Sequence, residues 1–154
     1  MPRRLDMSGI RQATHKDAVR IAEIIVFNYR LSFYPVFRND EFYFSELNVP
    51  DVAEEYRSPE VLKNTYVFDD GVVKGVIRLS GSEVLKLFVE PCLHGGGIGS
   101  MLLDYAVNVK RADNLWVLEK NPRAISFYEC NGFRLTGEKK YEEDTEEYLL
   151  KMNR

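Results

Sequence analysis

Apolar and polar positions change period several times along the chain, and each change marks an expected element. Ile10-Arg11-Gln12-Ala13-Thr14 alternates as a short strand does, and Thr14-His15-Lys16-Asp17 sets a hydroxyl three residues before a carboxylate, the spacing of a capping box. A helix is expected from there, its buried stripe running through Ala18, Ile21, Ile24 or Ile25, and Phe27. The stretch from Phe27 to Phe44 is crowded with aromatic side chains, and Pro35 interrupts any long helix in it, so one or two short helices joined by a turn are expected. Asp51 to Tyr56 reads as a further short helix that ends before Pro59.

From Asn64 the period falls to two. Thr65 to Asp69 and Val72 to Leu79 flank Asp70-Gly71, a two-residue turn whose positive φ angles suit a hairpin. Glu83 to Val89 forms a third strand of this meander, stopped by Pro91. The glycine cluster His94-Gly95-Gly96-Gly97-Ile98-Gly99 then opens a helix with a stripe of Ile98, Leu102, Tyr105 and Val109. Leu115 to Glu119 is a buried strand, and Asn121-Pro122 begins a helix that Asn131-Gly132 stops. Phe133 to Lys140 and Glu147 to Met152 close the chain as two strands joined by an acidic turn. This order describes an α/β protein with a mixed sheet, unlike the regular alternation of a doubly wound one.

Length and composition narrow the function classes. With 154 residues, 45% of them hydrophobic, the expectation is one domain spanning 1–154 that needs no disulfide or metal to hold its core. A formal charge of −3 and a pI near 5.5 give no global basic field, so no nucleic-acid partner is expected. Cys92 and Cys130 form neither a C-x-x-C pair nor a Cys/His cluster, and no metal is expected. The charged start, Met1 to Asp6, runs into Ser8-Gly9 without a signal-peptide apolar segment, and no apolar run approaches the roughly 20 residues of a membrane span. A cytoplasmic protein without a membrane partner is the expectation.

The glycine cluster carries the chemistry. Glycines at a strand-to-helix junction let backbone N–H groups approach an anion, and the helix dipole adds about half a positive charge. Three readings fail on spacing. A Walker A loop needs Lys before the Ser, but Gly99 is followed directly by Ser100. The G-x-G-x-x-G fingerprint would need its third glycine at Ser100 or Leu102. His94-Gly95-Gly96-Gly97 matches an esterase oxyanion loop, yet the chain has no G-x-S-x-G elbow.

The remaining pattern is Q/R-x-x-G-x-G/A, and through it residues Val89 to Leu103 resemble the acetyl-CoA pyrophosphate loop of the GNAT superfamily of N-acetyltransferases. Leu115 to Phe133 is similar to the family's strand–helix signature, with N-x-x-A-x-x-F-Y-x-x-x-G-F running from Asn121 to Phe133. The resemblance covers nearly everything from Ile10 onward and departs at one point, His94 in place of the family's Gln or Arg. It implies a central six- to seven-stranded, mostly antiparallel sheet flanked by about four helices, with acetyl-CoA as co-substrate. The implied activity moves the acetyl group to a primary amine of a small molecule or peptide through a tetrahedral intermediate. A non-catalytic CoA-binding module of the same fold is the alternative, and a third role makes the aromatic segment a homodimer surface.

Residue roles follow from the same resemblance. Amides of His94, Gly95, Gly96, Gly97, Ile98, Gly99 and Ser100 would hold the pyrophosphate, while Leu87, Phe88 and Val89 would pair with the pantetheine arm as an added strand. Tyr128 would be the general acid, and Asn121, an N-cap on any reading, would also contact the cofactor. Glu83 is the candidate base: by strict alternation it shares a face with Leu85, Leu87 and Val89, with Glu119 a second choice and water a third. The acidic run Glu142 to Glu147 is either a solvated turn or a lure for a cationic amine.

Overall fold

The computed structural model describes residues 8–154, so the charged start of the chain lies outside the described residues. Seven strands form one sheet in the order β1-β2-β3-β4-β5-β7-β6. These are β1 (Ile10–Gln12), β2 (Thr65–Asp69), β3 (Val73–Ser80), β4 (Glu83–Val89), β5 (Asn114–Leu118), β6 (Arg134–Tyr141) and β7 (Tyr148–Asn153). Every neighbouring pair is antiparallel except β4 and β5, which run parallel. The helices are α1 (Ala18–Ser32), α2 (Tyr34–Phe37), α3 (Val49–Glu55), α4 (Pro59–Leu62), α5 (Ile98–Asn108) and α6 (Pro122–Cys130). Six helical segments exceed the expected four because α2 and α4 are single turns, each with a proline in its first turn that starts a helix without extending it.

The pleat divides the core into two layers. On β2 and β3, Val67 and Val76 are cross-strand partners facing α1 and α3, where Ile21, Ile24, Ile25 and Tyr56 cover them. Their neighbours Tyr66 and Ile77 face the other way, toward Leu102, Leu103 and Ala106 of α5. Helix α5 comes close to β3 at Gly75, where an added Cβ would stand 2.9 Å from Leu102 and 3.0 Å from Ile98. Two expected stripe residues fall outside these layers: Phe27 is 40% exposed and Val109 is 49% exposed. In α1 the helical period carries the buried line from Ile21 and Ile24 or Ile25 to Asn28, one position past Phe27. Val109 lies just beyond the end of α5. The hairpin turn is also one residue longer than expected, Asp70 to Val72, with a register shift after Phe68 and an Asx turn in which Gly71 N–H donates to Asp69 at 2.9 Å.

Asp17 ties the start of α1 to the sheet. Its carboxylate accepts from the Thr14 backbone N–H at 2.8 Å and from both terminal nitrogens of Arg11 at 2.8 and 2.9 Å, and Arg11 also donates to Asp69 at 3.0 Å. The Arg11 guanidinium, above all, holds the Asp17 carboxyl below the ordinary carboxylate range. Asp17→Ala is expected to cost about 2 kcal/mol, discounted because Arg11 is half exposed, and to lower Tm by roughly 4–8 °C. Because the folded pKa is depressed, this contribution is complete above the unfolded value of about 3.9 and disappears as pH falls through the folded value. Thermal melts of wild type and variant should therefore converge toward pH 2. Among the described residues no helix is long and apolar enough to cross a membrane.

Candidate active site between the diverging strands

Strands β4 and β5 pair only at Glu83 with Asn114 and Val84 with Leu115, and then separate. Beyond that point the β5-facing edge of β4 has no strand to bond, and a cavity of about 760 Å³ occupies the opening. Leu85, Lys86, Leu87 and Phe88 line it from β4, and Trp116, Val117 and Leu118 from β5. Asn121, Ala124 and Tyr128, spaced three and four apart on α6, present one helical face to the same space. Tyr29, Phe33, Phe37, Phe42 and Tyr43 wall its α1 side, and the β6–β7 loop contributes Glu142, Glu143 and Asp144. The aromatic stretch thus both lines the cavity and packs with itself, as in the edge-on contact of Phe42 and Tyr43 at 4.8 Å.

A bulge sits where the strands part. Arg78 of β3 pairs with Lys86 but Leu79 pairs with Val84, leaving Leu85 as an extra residue on β4. The bulge reverses the alternation: Val84, Leu87 and Val89 all join the α5 layer, although Val84 and Leu87 are an odd number of residues apart. Glu83 therefore lies on the sheet face opposite Leu87 and Val89, contrary to the strict alternation read from the sequence. It also stands at the paired end of the opening and is not among the cavity-lining residues; Glu119 is exposed and does not line it either. The carboxylates that do line it are Glu46, Glu142, Glu143 and Asp144.

Just past the end of β4 the chain enters the glycine loop. Gly95 and Gly97 have φ of 87° and 89°, a left-handed conformation that side chains rarely adopt, and an added Cβ on either would meet nothing within 4 Å. Gly97 is the N-cap of α5, and the first bond of the helix start runs from Met101 N–H to the Gly97 carbonyl at 3.0 Å. The N–H groups of Ile98, Gly99 and Ser100 precede that bond and have no helical acceptor, so the loop is open on its outer side and rich in donors. It suits a phosphate-bearing ligand on both counts. Gly99 sits against Phe127 of α6 at 3.4 Å from its would-be Cβ, which packs the start of α5 against the middle of α6.

His94 differs from its expected role. Its ring is turned inward, with Nε2 2.9 Å from the Val89 carbonyl and 3.1 Å from Asn28 Oδ1. Asn28, 3% exposed, donates from Nδ2 to the Ile24 and Val89 carbonyls, both at 2.8 Å. With both Nδ2 hydrogens so used, its Oδ1 can only accept, and His94 Nε2 must carry the proton. The imidazole fastens the loop to the end of β4, and the His94 backbone N–H, expected to hold the pyrophosphate, donates instead to the Pro91 carbonyl at 3.4 Å. Sequence reasoning missed Asn28, although an amide on the buried stripe of α1 was the available signal.

Tyr128 packs edge-on against Phe127 at 5.2 Å and Phe133 at 5.9 Å, and its hydroxyl has no hydrogen-bond partner among the described residues. Burial pushes the phenol well above its ordinary pKa, so it stays protonated. Asn121 Oδ1 accepts from the Ala124 N–H at 3.2 Å as the N-cap, and its amide nitrogen has no hydrogen-bond partner among the described residues.

A mixed sheet that opens between parallel neighbours, with a donor-rich helix start beside the opening, defines the class of fold. Residues 62–135 match the model of the acetyltransferase (GNAT) domain, so this stretch, just under half of the chain, is similar to that family. It is 32% identical over 92 residues to the peptidyl-lysine N-acetyltransferase YjaB of Salmonella typhimurium, a match covering 60% of this chain and 63% of that protein, so less than two thirds of the relative's length is spanned. Among solved structures, apo YjaB from Escherichia coli superimposes with a TM-score of 0.70 at 23% identity, covering 94% of this chain and 95% of that one. The PaiA N-acetyltransferase of Thermoplasma acidophilum in complex with coenzyme A gives a TM-score of 0.63 at 19% identity, covering 94% and 98%. These two likenesses are likenesses of fold.

Proposed function

We propose that the chain is an acetyl-CoA-dependent N-acetyltransferase acting on a primary amine of a small molecule or a peptide. One observation carries the reading: the break in β4–β5 pairing lets the unpaired edge of β4 and the Asn121–Tyr128 face of α6 meet across one cavity, and the glycine loop follows β4 along the chain, just beyond the residues that line it. The peptidyl-lysine acetyltransferase relative supports an amine acceptor, and the coenzyme A complex of a similar fold supports the co-substrate.

Acetyl-CoA would supply an activated acetyl thioester; the chain's own groups do the rest. Amides of Gly95, Gly97, Ile98, Gly99 and Ser100 receive the pyrophosphate, the Gly96 N–H being taken by the Leu93 carbonyl at 3.4 Å, while main-chain groups of Leu87, Phe88 and Val89 pair with the pantetheine arm and one of their N–H groups faces the acetyl oxygen. The free amide nitrogen of Asn121 donates to the arm. Tyr128 hydrogen-bonds the departing thiolate. A phenol near 10 facing a thiol near 8.5 makes full proton transfer uphill by roughly 2 kcal/mol, and burial raises the phenol further. Tyr128 therefore acts as a hydrogen-bond donor, with the final proton arriving from solvent. Glu83 takes no part from where it stands. The acceptor amine loses its proton to water at the exposed edge of the cavity, beside Glu46, Glu143 and Asp144.

Thermal denaturation with acetyl-CoA, followed by thiol release with a panel of amines, tests the reading. At 100 times Kd the ligand should stabilise the fold by about 2.7 kcal/mol and raise Tm by roughly 5–10 °C. No shift at millimolar acetyl-CoA would remove the proposal, and a shift without thiol release from any amine would leave a CoA-binding module.

A further inference from the structure

Lys86 is a charged residue inside an apolar strand, and the proposed chemistry gives it nothing to do. It lies next to the Leu85 bulge, on the α1 side of the sheet, and lines the cavity. Its Nζ donates to Tyr29 Oη and stands 4.9 Å from the centre of the Tyr29 ring. It has no ion pair among the described residues: the neighbouring acid Glu55 is held by Arg78 at 2.7 Å. An ammonium has three hydrogens to donate, and one is used. A half-buried cation with one hydrogen bond and no ion pair among the described residues keeps donors free for an anion that enters the cavity.

We infer that Lys86 is the anchor for a carboxylate carried by the acceptor, so that the substrate is an amino acid or a peptide end bearing amine and carboxylate together. The inference rests on the acetyltransferase reading and deepens it by naming the class of acceptor. The rest of the cavity agrees. Its other charged side chains are Glu46, Glu142, Glu143 and Asp144, all acidic and all but the half-buried Glu142 exposed, and they favour an ammonium group. An acceptor with both charges satisfies the two regions at once, whereas a plain amine leaves Lys86 unpaired and a plain carboxylate meets the acidic edge. Tyr29 and Phe33 supply the apolar wall between them, with their rings 5.0 Å apart. Lys86 also remains charged in this setting. Burial, the largest single influence, pulls its pKa down, but Tyr29, with Tyr56 and Glu55, outweighs it and leaves the pKa raised.

The test uses amino acids beside their decarboxylated counterparts: L-lysine with cadaverine, and L-phenylalanine with phenethylamine. Acetyl transfer is followed by thiol release, and binding by calorimetry without acetyl-CoA, for wild type, Lys86→Met and Lys86→Arg. Met keeps the length and apolar stem of the side chain, and Arg keeps the charge. In wild type at least one pair is expected to favour the carboxylate partner, and Lys86→Met should reduce that kcat/KM ratio about tenfold or more. Using the ratio cancels the difference between the two amines. Lys86→Arg should keep at least part of the preference, and Lys86→Met should change plain-amine turnover by less than about threefold. A ratio unaffected by Lys86→Met, or equal loss for both members of each pair, overturns the inference. If no amine is acetylated, calorimetry decides: an amino acid that binds wild type and not Lys86→Met upholds the anchor while the acetyltransferase reading falls, and no binding to wild type overturns the anchor.

Discussion

Tyr128→Phe is expected to lower kcat for acetyl transfer by about 10²-fold or more while leaving acetyl-CoA affinity within about twofold. The substitution removes one oxygen and keeps the ring, so the contacts with Phe127 and Phe133 that fix its place survive. In the free protein the hydroxyl bonds to nothing among the described residues, so the variant breaks no hydrogen bond there and its Tm should not fall. What disappears is a donor aimed at a charge that develops only as the thiolate departs, in a site where burial strengthens such a bond. A loss of about 10² in rate corresponds to about 2.7 kcal/mol, within the reach of one charge-assisted hydrogen bond. The raised pKa adds a second signature: the phenol stays protonated to beyond pH 10, so its ionisation imposes no alkaline fall in kcat below that pH. Stopped-flow or steady-state thiol release across pH 6–10 checks both parts, and unchanged turnover would take Tyr128 out of the chemistry.

Asn28→Ala should be the most damaging single change away from the cavity, costing about 3 kcal/mol and lowering Tm by roughly 6–12 °C. One side chain holds three partners at once: the Ile24 carbonyl of its own helix, the Val89 carbonyl at the end of β4, and the His94 imidazole that anchors the glycine loop. Truncation leaves His94 with one acceptor instead of two and opens a polar gap under the loop, each of which carries the penalty of a buried group left short of partners. Because the loop amides must converge on one anion, looser anchoring should raise KM for acetyl-CoA by about tenfold with a smaller change in kcat. Asn28→Asp provides the control: a carboxylate in place of the donating amide would face two carbonyl oxygens, and it should destabilise at least as much as Ala at pH 7. Melting curves and acetyl-CoA titrations of the two variants measure this, and a Tm within 2 °C of wild type for Asn28→Ala would refute the account.

The legible parts of the fold were those governed by local rules. Period and turn chemistry located every strand of the sheet to within a few residues, because alternation, Gly71 in its turn and Pro91 after β4 act on their own neighbours. The helix start at Asn121-Pro122 and the glycine cap of α5 were equally local, and the two motif blocks pointed from them to the acetyltransferase likeness that residues 62–135 share. Errors arose where a rule was extended past an interruption that has no sequence signature. The bulge at Leu85 is imposed by pairing with β3 and inverts the face of everything before it, which moved Glu83 away from the residues it was expected to join.

Residue chemistry along the chain was enough to establish a mixed α/β protein with an anion-receptive glycine loop and a tyrosine on a capped helix, since backbone freedom, capping and side-chain period depend on short stretches. It could not say where β4 and β5 part, that His94 turns inward to Asn28 from 66 positions away, or that Lys86 stands in the opening without an ion pair among the described residues. Those facts arise from contacts between segments remote in sequence. The free energy of a buried amide or ammonium is set by which groups the folded chain happens to place around it.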